Sequence, residues 1–89
     1  RILDCDSTVV VTADEGVRGG RRIPLKVNTD EALRKCPGVK TVIVVRHTGG
    51  AVAFDPSIDV WYDEASAHVA GYCPPEWMAA EDPLFILYT

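Results

Sequence analysis

The stretch Ser7–Ala13, which reads STVVVTA, decides the fold of this chain. Its β-branched residues form a continuous run, which is typical of a strand buried on both faces in a parallel sheet. A second run of this kind, TVIVVRH, occupies Thr41–His47. Because a helix is predicted between the two strands, the pattern indicates a βαβ unit with parallel strands and a right-handed crossover.

The helix between these strands has two candidate starts. Asn28 is a good N-cap residue, and Glu31 follows three positions later, close to the capping-box pattern. Pro24 is the alternative, since proline is common in the first turn of a helix. Cys36–Gly38 reads CPG and predicts the end, because proline cannot continue a helix and glycine allows a left-handed exit.

The rest of the chain alternates between turns and shorter predicted elements. Asp14–Arg22 holds three glycines and three arginines and is predicted to be a loop. Ala51–Asp55 is a candidate edge strand, and Val60–Val69 has the spacing of a second helix. Glu76–Asp82 is predicted as an acidic loop or a short helical turn, and Leu84–Tyr88, which follows a proline, as a third strand.

The composition is that of a small globular domain. With 89 residues, 47% hydrophobic and 25% charged, the chain fits one domain or a piece of a larger one, and it excludes a disordered tail, a collagen-like repeat and a coiled coil. No apolar run approaches the roughly 18 residues of a membrane span, and no signal peptide is predicted. Three widely spaced cysteines, Cys5, Cys36 and Cys73, favour reduced thiols in the cytoplasm over a disulfide framework or a zinc site.

The charge is unevenly distributed along the chain. The net charge is −4, but residues 1–46 hold all nine basic groups with six acidic ones, and residues 47–89 hold seven acidic groups alone. An acidic total disfavours nucleic acid as a partner, because such binding depends on neutralising phosphates. A local basic cluster in the first half can still hold a small anion.

Most other chemistry-bearing side chains have ordinary structural explanations. No histidine lies near a cysteine in the sequence in a way that predicts an activated nucleophile, and no spacing predicts a metal centre. We therefore expect surface or capping histidines, solvated carboxylates, packed tryptophans and a buried thiol at the end of the helix. These residues are His47, His68, Asp63, Glu64, Glu81, Asp82, Trp61, Trp77 and Cys36.

Two motifs are more specific than these patterns. Thr12–Arg21 reads TADEGVRGGR, and Ala80–Thr89 reads AEDPLFILYT. Together they resemble acetyl-CoA synthetases, the AMP-forming acetate–CoA ligases of the adenylate-forming superfamily. The resemblance implies that residues 1–89 form one α/β segment of the large, AMP-binding N-terminal domain, a βαβ-type parallel three-layer fragment that ends just before the ATP phosphate loop.

The glycine-rich motif carries the candidate binding site. Arg18 and Arg21 flank Gly19 and Gly20; arginine binds phosphate in a bidentate way, and the glycines let the backbone approach an anion. From the residues alone, pairing of these arginines with nearby acidic residues or with another subdomain is the competing explanation. The resemblance implies that all four residues contact the 3′-phosphate ADP end of coenzyme A.

The resemblance also implies an activity for the parent protein. It is expected to make acetyl-CoA from acetate, ATP and CoA through an acetyl-adenylate, with Mg²⁺ held by the parent enzyme and not by this segment. No catalytic residue is expected here, Thr89 is a weak candidate for the ATP site, and the isolated segment is expected to be inactive. Expected partners are these small molecules and the rest of the parent chain, with no nucleic acid and no membrane.

Two alternatives remain open at this point. One is a ligase for propionate or another short-chain acyl group, since the resemblance does not fix the acyl pocket. The other belongs to a different class: a stand-alone module that binds a nucleotide or coenzyme A and performs no catalysis.

Overall fold

The computed structural model describes residues 1–89, and seven short elements follow one another along the chain. They are β1 (Val9–Ala13), β2 (Gly16–Arg18), β3 (Arg21–Ile23), α1 (Leu25–Leu33), β4 (Thr41–Val45), β5 (Asp59–Trp61) and α2 (Tyr62–Ser66). The helices have nine and five residues, so neither is long enough to cross a membrane.

The centre of the fold is a parallel sheet in the order β1-β4-β5. β1 and β4 pair in register from Val9 opposite Thr41 to Ala13 opposite Val45, and α1 lies between them in the chain. The predicted βαβ unit is therefore confirmed. Both strands are shorter than predicted, since regular pairing begins at Val9 and ends at Val45.

β5 corrects the prediction for the second half of the chain. The helix predicted over Val60–Val69 is limited to Tyr62–Ser66, because the residues just before it pair with β4 as a strand. Val42 donates its N–H to the carbonyl of Ile58 at 2.9 Å, which begins this pairing. The backbone N–H and C=O groups on the side of β4 that faces away from β1 need hydrogen-bond partners. That requirement outweighs the helical spacing of the apolar residues that begins at Val60.

β2 and β3 correct the predicted loop at Asp14–Arg22. The two strands form an antiparallel hairpin in which Val17 lies opposite Arg22 and Arg18 opposite Arg21. Two glycines make the turn between them, as expected of a two-residue hairpin loop whose central residues both need a positive φ. The sequence therefore predicted a loop where only Gly19 and Gly20 form one, and it missed the strands on either side of them.

The boundaries of α1 favour the earlier of its two predicted starts. The helix begins at Leu25 directly after Pro24, and Asn28 lies inside it with its N–H bonded to the Pro24 carbonyl at 3.0 Å, so the Asn28 cap was wrong. The helix ends at Leu33, before the predicted stop. Gly38 is not in the left-handed region, so the glycine exit predicted there is also wrong.

The core lies on one face of the sheet. Val42 and Val44 of β4 are completely buried, and Cys36 and Val39, which follow α1, pack with them. Cys36 is thus the buried thiol that the sequence predicts, and none of the three cysteines is in a disulfide.

The opposite face of the sheet is exposed to solvent. The prediction that Ser7–Ala13 forms a strand buried on both faces is therefore wrong. Val9 is 50% exposed and Val11 is 65% exposed, because they alternate with Val10, which packs on the core. The parallel sheet with helices is compatible with an α/β fragment, but a covering layer on this second face is not present in these 89 residues.

Residues 70–89 form no helix or strand and contain one hydrogen-bonded turn. The third strand predicted at Leu84–Tyr88 does not form, and Leu84 is 88% exposed. Asp82 donates its N–H to the carbonyl of Ala79 at 3.0 Å, which makes a turn within the predicted loop at Glu76–Asp82. The edge strand predicted at Ala51–Asp55 is also absent.

Candidate functional site

The tip of the β2–β3 hairpin presents two free guanidinium groups. Arg18 and Arg21 lie directly opposite each other, so their side chains share one face of the hairpin. Both residues are exposed, and neither forms an ion pair. Like charges placed opposite each other repel, and here no carboxylate of the chain offsets that cost. The tip therefore has two exposed positive charges that no carboxylate of the chain neutralises.

Backbone conformation accounts for the two glycines at this tip. Gly19 has a φ of +57° and Gly20 a φ of +74°, and a Cβ atom at either position would meet nothing within 4 Å. Any other residue would be strained there by the backbone and not by a neighbour. The glycines hold the two arginines close together across a tight turn and leave the turn itself unobstructed.

The base of the hairpin is fixed by the buried carboxylate of Asp14. Its Oδ1 atom accepts the N–H groups of Glu15 at 2.7 Å, His47 at 2.9 Å and Thr48 at 3.2 Å, and its Oδ2 atom accepts that of Gly49 at 2.9 Å. Burial alone raises the pKa of this carboxyl, but the four backbone donors outweigh it and lower the pKa of Asp14 to about 2. Asp14 is thus an anchor for the loop that follows β4.

Glu15 adds a second connection between the hairpin and this loop. Its Oε1 atom accepts the hydroxyl of Thr48 at 2.6 Å and lies 3.3 Å from the guanidinium of Arg22. A Cβ atom at Gly50 would overlap the same carboxylate, so the loop passes very close to it. The alternative in which Arg18 and Arg21 pair with Asp14 or Glu15 is therefore wrong, because both carboxylates are used at the base.

The sequence did not predict these two carboxylates as parts of a site. Their partners in the loop after β4 lie more than 30 residues away in the chain, and the contact of His47 is through its backbone and not its imidazole ring. One signal was available: acidic residues directly after a buried strand lie at the carboxyl edge of a parallel sheet, where the loops of adjacent strands meet.

A second buried charged group lies between α1 and β5. Lys26 is 1% exposed, and its Nζ atom lies 2.7 Å from Asp30, 2.9 Å from Asp59 and 3.1 Å from the carbonyl of Ala53. Burial opposes the charge, but the two carboxylates outweigh it and raise the pKa of Lys26. The ammonium is therefore fully occupied, and it joins the helix to the edge of the sheet.

Trp61 and its neighbours form a packed surface cluster. Its ring stacks on Phe54 with centroids 5.0 Å apart, and the guanidinium of Arg46 lies 3.9 Å from its centroid. Arg46 also lies 3.3 Å from Asp63 and from Glu64. The predicted packing role of Trp61 is confirmed, and the two carboxylates pair with an arginine at the surface. Trp77 differs, because it is 92% exposed and packs on nothing in this chain.

The comparison with known proteins shows what this chain is similar to. All 89 residues align with the acetyl-coenzyme A synthetase of Parvibaculum lavamentivorans at 72% identity, with that of Halorhodospira halophila at 65%, and with acetyl-coenzyme A synthetase 2 of Pseudomonas putida at 63%. Over its whole length, the chain is therefore similar in sequence to a segment of acetyl-coenzyme A synthetases. It spans about 14% of the length of these relatives. No protein-family model matches it.

Thr89, the residue that the acetyl-CoA synthetase resemblance suggests for ATP, contacts the first residues of the chain and not the hairpin. Its carbonyl accepts a hydrogen bond from Arg1 at 3.4 Å, and the neighbouring Tyr88 hydroxyl donates to Asp4. No hydrogen bond or ion pair joins Thr89 to the hairpin. The structure thus brings the four residues of the tip together and leaves Thr89 apart from them.

Proposed function

We propose that this chain supplies part of the coenzyme A site of an acetate–CoA ligase, through Arg18, Gly19, Gly20 and Arg21. The observation that carries the proposal is the pair of opposed, exposed arginines without carboxylate partners. A phosphate monoester carries close to two negative charges at neutral pH and matches two adjacent guanidiniums. The 3′-phosphate ADP end of coenzyme A is such a group.

The reaction proposed for the parent protein has two halves. ATP and acetate form acetyl-adenylate with release of pyrophosphate, and the thiol of coenzyme A then attacks the acyl carbon and releases AMP. We propose acetate as the acyl group because the relatives are named acetyl-coenzyme A synthetases. Mg²⁺ is proposed to be held by other parts of the parent enzyme and not by this segment.

The proposal can be tested by moving this segment into a complete enzyme. At 72% identity over 89 residues, it can replace the matching segment of the Parvibaculum lavamentivorans enzyme. In that chimera, Arg18→Ala or Arg21→Ala removes a charge-assisted contact of about 1.5–3 kcal/mol. The KM for coenzyme A should therefore rise roughly ten- to a hundredfold, while acetate-dependent ATP–pyrophosphate exchange stays close to its original rate.

Arg34→Ala is the matched control for this experiment. Arg34 is an exposed arginine just after α1 that forms no ion pair, so its loss changes the net charge by the same amount. It should leave the KM for coenzyme A unchanged. Equal losses in pyrophosphate exchange and thioester formation for Arg18→Ala, or an unchanged KM, would exclude the coenzyme A assignment.

Assays on the isolated chain distinguish the ligase proposal from the alternative of a stand-alone binding module. We propose that residues 1–89 alone have no ligase activity, because they offer no catalytic residue, and that the parent protein acts in the cytoplasm. Thr89 is proposed only to lead toward the ATP site. Micromolar binding of coenzyme A by the isolated chain, measured by calorimetry, would favour the module; acetate-dependent pyrophosphate exchange by the isolated chain would overturn the inactivity.

A further inference from the structure

We propose that Asp14 and Glu15 are positioning residues for the coenzyme A site, acting as a clamp that holds the Arg18–Arg21 hairpin against the loop His47–Gly50. This inference rests on the proposed function, since it concerns how the tip arginines are aimed. Neither carboxylate touches the tip itself. Both act through the base of the hairpin, which they connect to the sheet.

The backbone of Asp14 already closes the base of the hairpin on two sides. Its N–H donates to the carbonyl of Val45 at 3.0 Å, which continues the pairing of β1 with β4. Its carbonyl accepts the N–H of Lys26 at 3.2 Å, where α1 begins. The chain therefore leaves the sheet after Asp14 and returns at Lys26, which is hydrogen-bonded to Asp14. The orientation of Asp14 thus determines the direction of the whole hairpin.

The side chain of Asp14 supplies the remaining restraint. Its carboxylate is 1% exposed and accepts four N–H groups, three of them from the loop after β4. An asparagine of the same shape has one acceptor oxygen and one NH₂ group, so it would bring a donor against the Gly49 N–H or the other three donors. The negative charge is thus specifically required by four converging donors, and its loss releases the loop from the hairpin.

A small change at the base is enlarged at the tip. The arginines lie about three residues from the base, or roughly 10 Å along an extended strand. A tilt of about 10° at Asp14 displaces the guanidiniums by roughly 2 Å, which is enough to break a bidentate contact with phosphate. Glu15 opposes such a tilt through its bond to the Thr48 hydroxyl at 2.6 Å.

The experiment compares variants of the chimeric enzyme. Asp14→Asn should raise the KM for coenzyme A roughly tenfold, the scale expected when a binding group is moved by an ångström or more, and leave pyrophosphate exchange within about twofold of the parent rate. Asp59→Asn is the matched control, because Asp59 is an equally buried aspartate of the same sheet whose partners are Lys26 and the Asp55 N–H. It should lower the melting temperature without a selective effect on coenzyme A.

The double variant Asp14→Asn/Arg18→Ala distinguishes positioning from general stability. If Asp14 acts through the hairpin, part of its effect on the KM is lost once Arg18 is gone and only Arg21 is left to be aimed, so the two changes are less than additive. Additive effects, or equal losses in both half-reactions, would overturn the clamp. If Asp14→Asn does not fold, Thr48→Val decides: it removes the hydroxyl that donates to Glu15 and accepts the N–H of Gly50 at 3.3 Å, both at the base of the hairpin, and an unchanged KM would overturn the clamp. An unchanged KM in Arg18→Ala alone would instead reject the proposed function.

Discussion

Residues 67–89 have a larger share of apolar side chains than residues 1–66, 14 of 23 against 28 of 66, and yet only the first region is folded around a core. The first region contains all seven elements and all seven buried residues. The second contains neither, and Trp77, Leu84 and Leu87 are each more than 70% exposed. The last region is connected to the first mainly through Tyr88 and Thr89, which contact Arg1 and Asp4.

The difference shows that burial depends on partners as much as on side-chain character. The segment Leu84–Leu87 is as apolar as Val42–Val45, yet Val42 is buried because β4 has a strand on each side and packed residues over one face. The final segment has no such neighbours. Together with Val9 and Val11 on the open face of the sheet, it leaves a large apolar surface, which favours association of the isolated chain.

The largest difference in stability between the two regions is expected when a charged residue replaces an apolar one in each of them. Val44→Asp buries an unpaired carboxylate in the core and should cost more than about 4 kcal/mol, so that cooperative unfolding is lost. Ile86→Asp, at a side chain that is 61% exposed, should change the free energy of unfolding by less than about 0.5 kcal/mol. Urea denaturation followed by circular dichroism measures both. A similar loss for the two variants would show that the final segment packs as firmly as the sheet.

A smaller effect is expected from the buried ion pair in the first region. Lys26→Met leaves Asp59 buried without its ammonium partner and should cost about 3–5 kcal/mol. The double variant Lys26→Met/Asp59→Leu removes both charges and should recover more than half of that loss. Arg46→Met is the exposed control and should cost no more than about 1 kcal/mol. A single-variant cost below that of the control would mean that Lys26 does not stabilise the joint between α1 and β5.

The sequence predicted the parts of the fold that depend on local patterns. β1, α1 and β4 have strong propensity and periodicity, and the turn at Gly19–Gly20 is required by its backbone conformation. β5 was missed because it has three residues and is defined by β4 on one side. The hairpin was missed because its glycines and arginines resemble a loop, although two glycines between short extended runs are a hairpin signal.

The candidate site was predictable at its tip and not at its base. Arg18 and Arg21 are adjacent to the two glycines of the turn, so the role proposed for them in binding coenzyme A depends on residues that are neighbours in the sequence. The clamp of Asp14 and Glu15 depends on His47–Gly50, which only the pairing of β1 with β4 brings close. Distant backbone donors leave no mark in the composition around an aspartate, so the one signal that separated Asp14 from a solvated carboxylate was its position directly after a buried strand.

The two regions should also respond to opposite extremes of pH. The pKa of Asp14 is lowered to about 2, below its ordinary value of 3.8, so its contribution to the first region is present above pH 4 and is lost as the pH falls toward 2. The hydrogen bond to Asp4 is the main cause that raises the pKa of Tyr88 from 10.0 to about 12, with burial adding to it. The contact that Tyr88 makes is therefore present below pH 10 and is lost as the pH rises toward 12.

The smallest effect is expected from this alkaline release of the final segment. Between pH 10 and 12 the Tyr88 phenolate and the Asp4 carboxylate repel each other, so the contact opens while the sheet, whose Lys26 has a raised pKa, stays folded. NMR of the Tyr88 ring should follow a midpoint near 12, with far-ultraviolet circular dichroism unchanged. In Asp4→Asn the acceptor charge is gone and the midpoint should return toward 10.0. If Tyr88 keeps the same midpoint in that variant, the final segment is held by something other than Asp4.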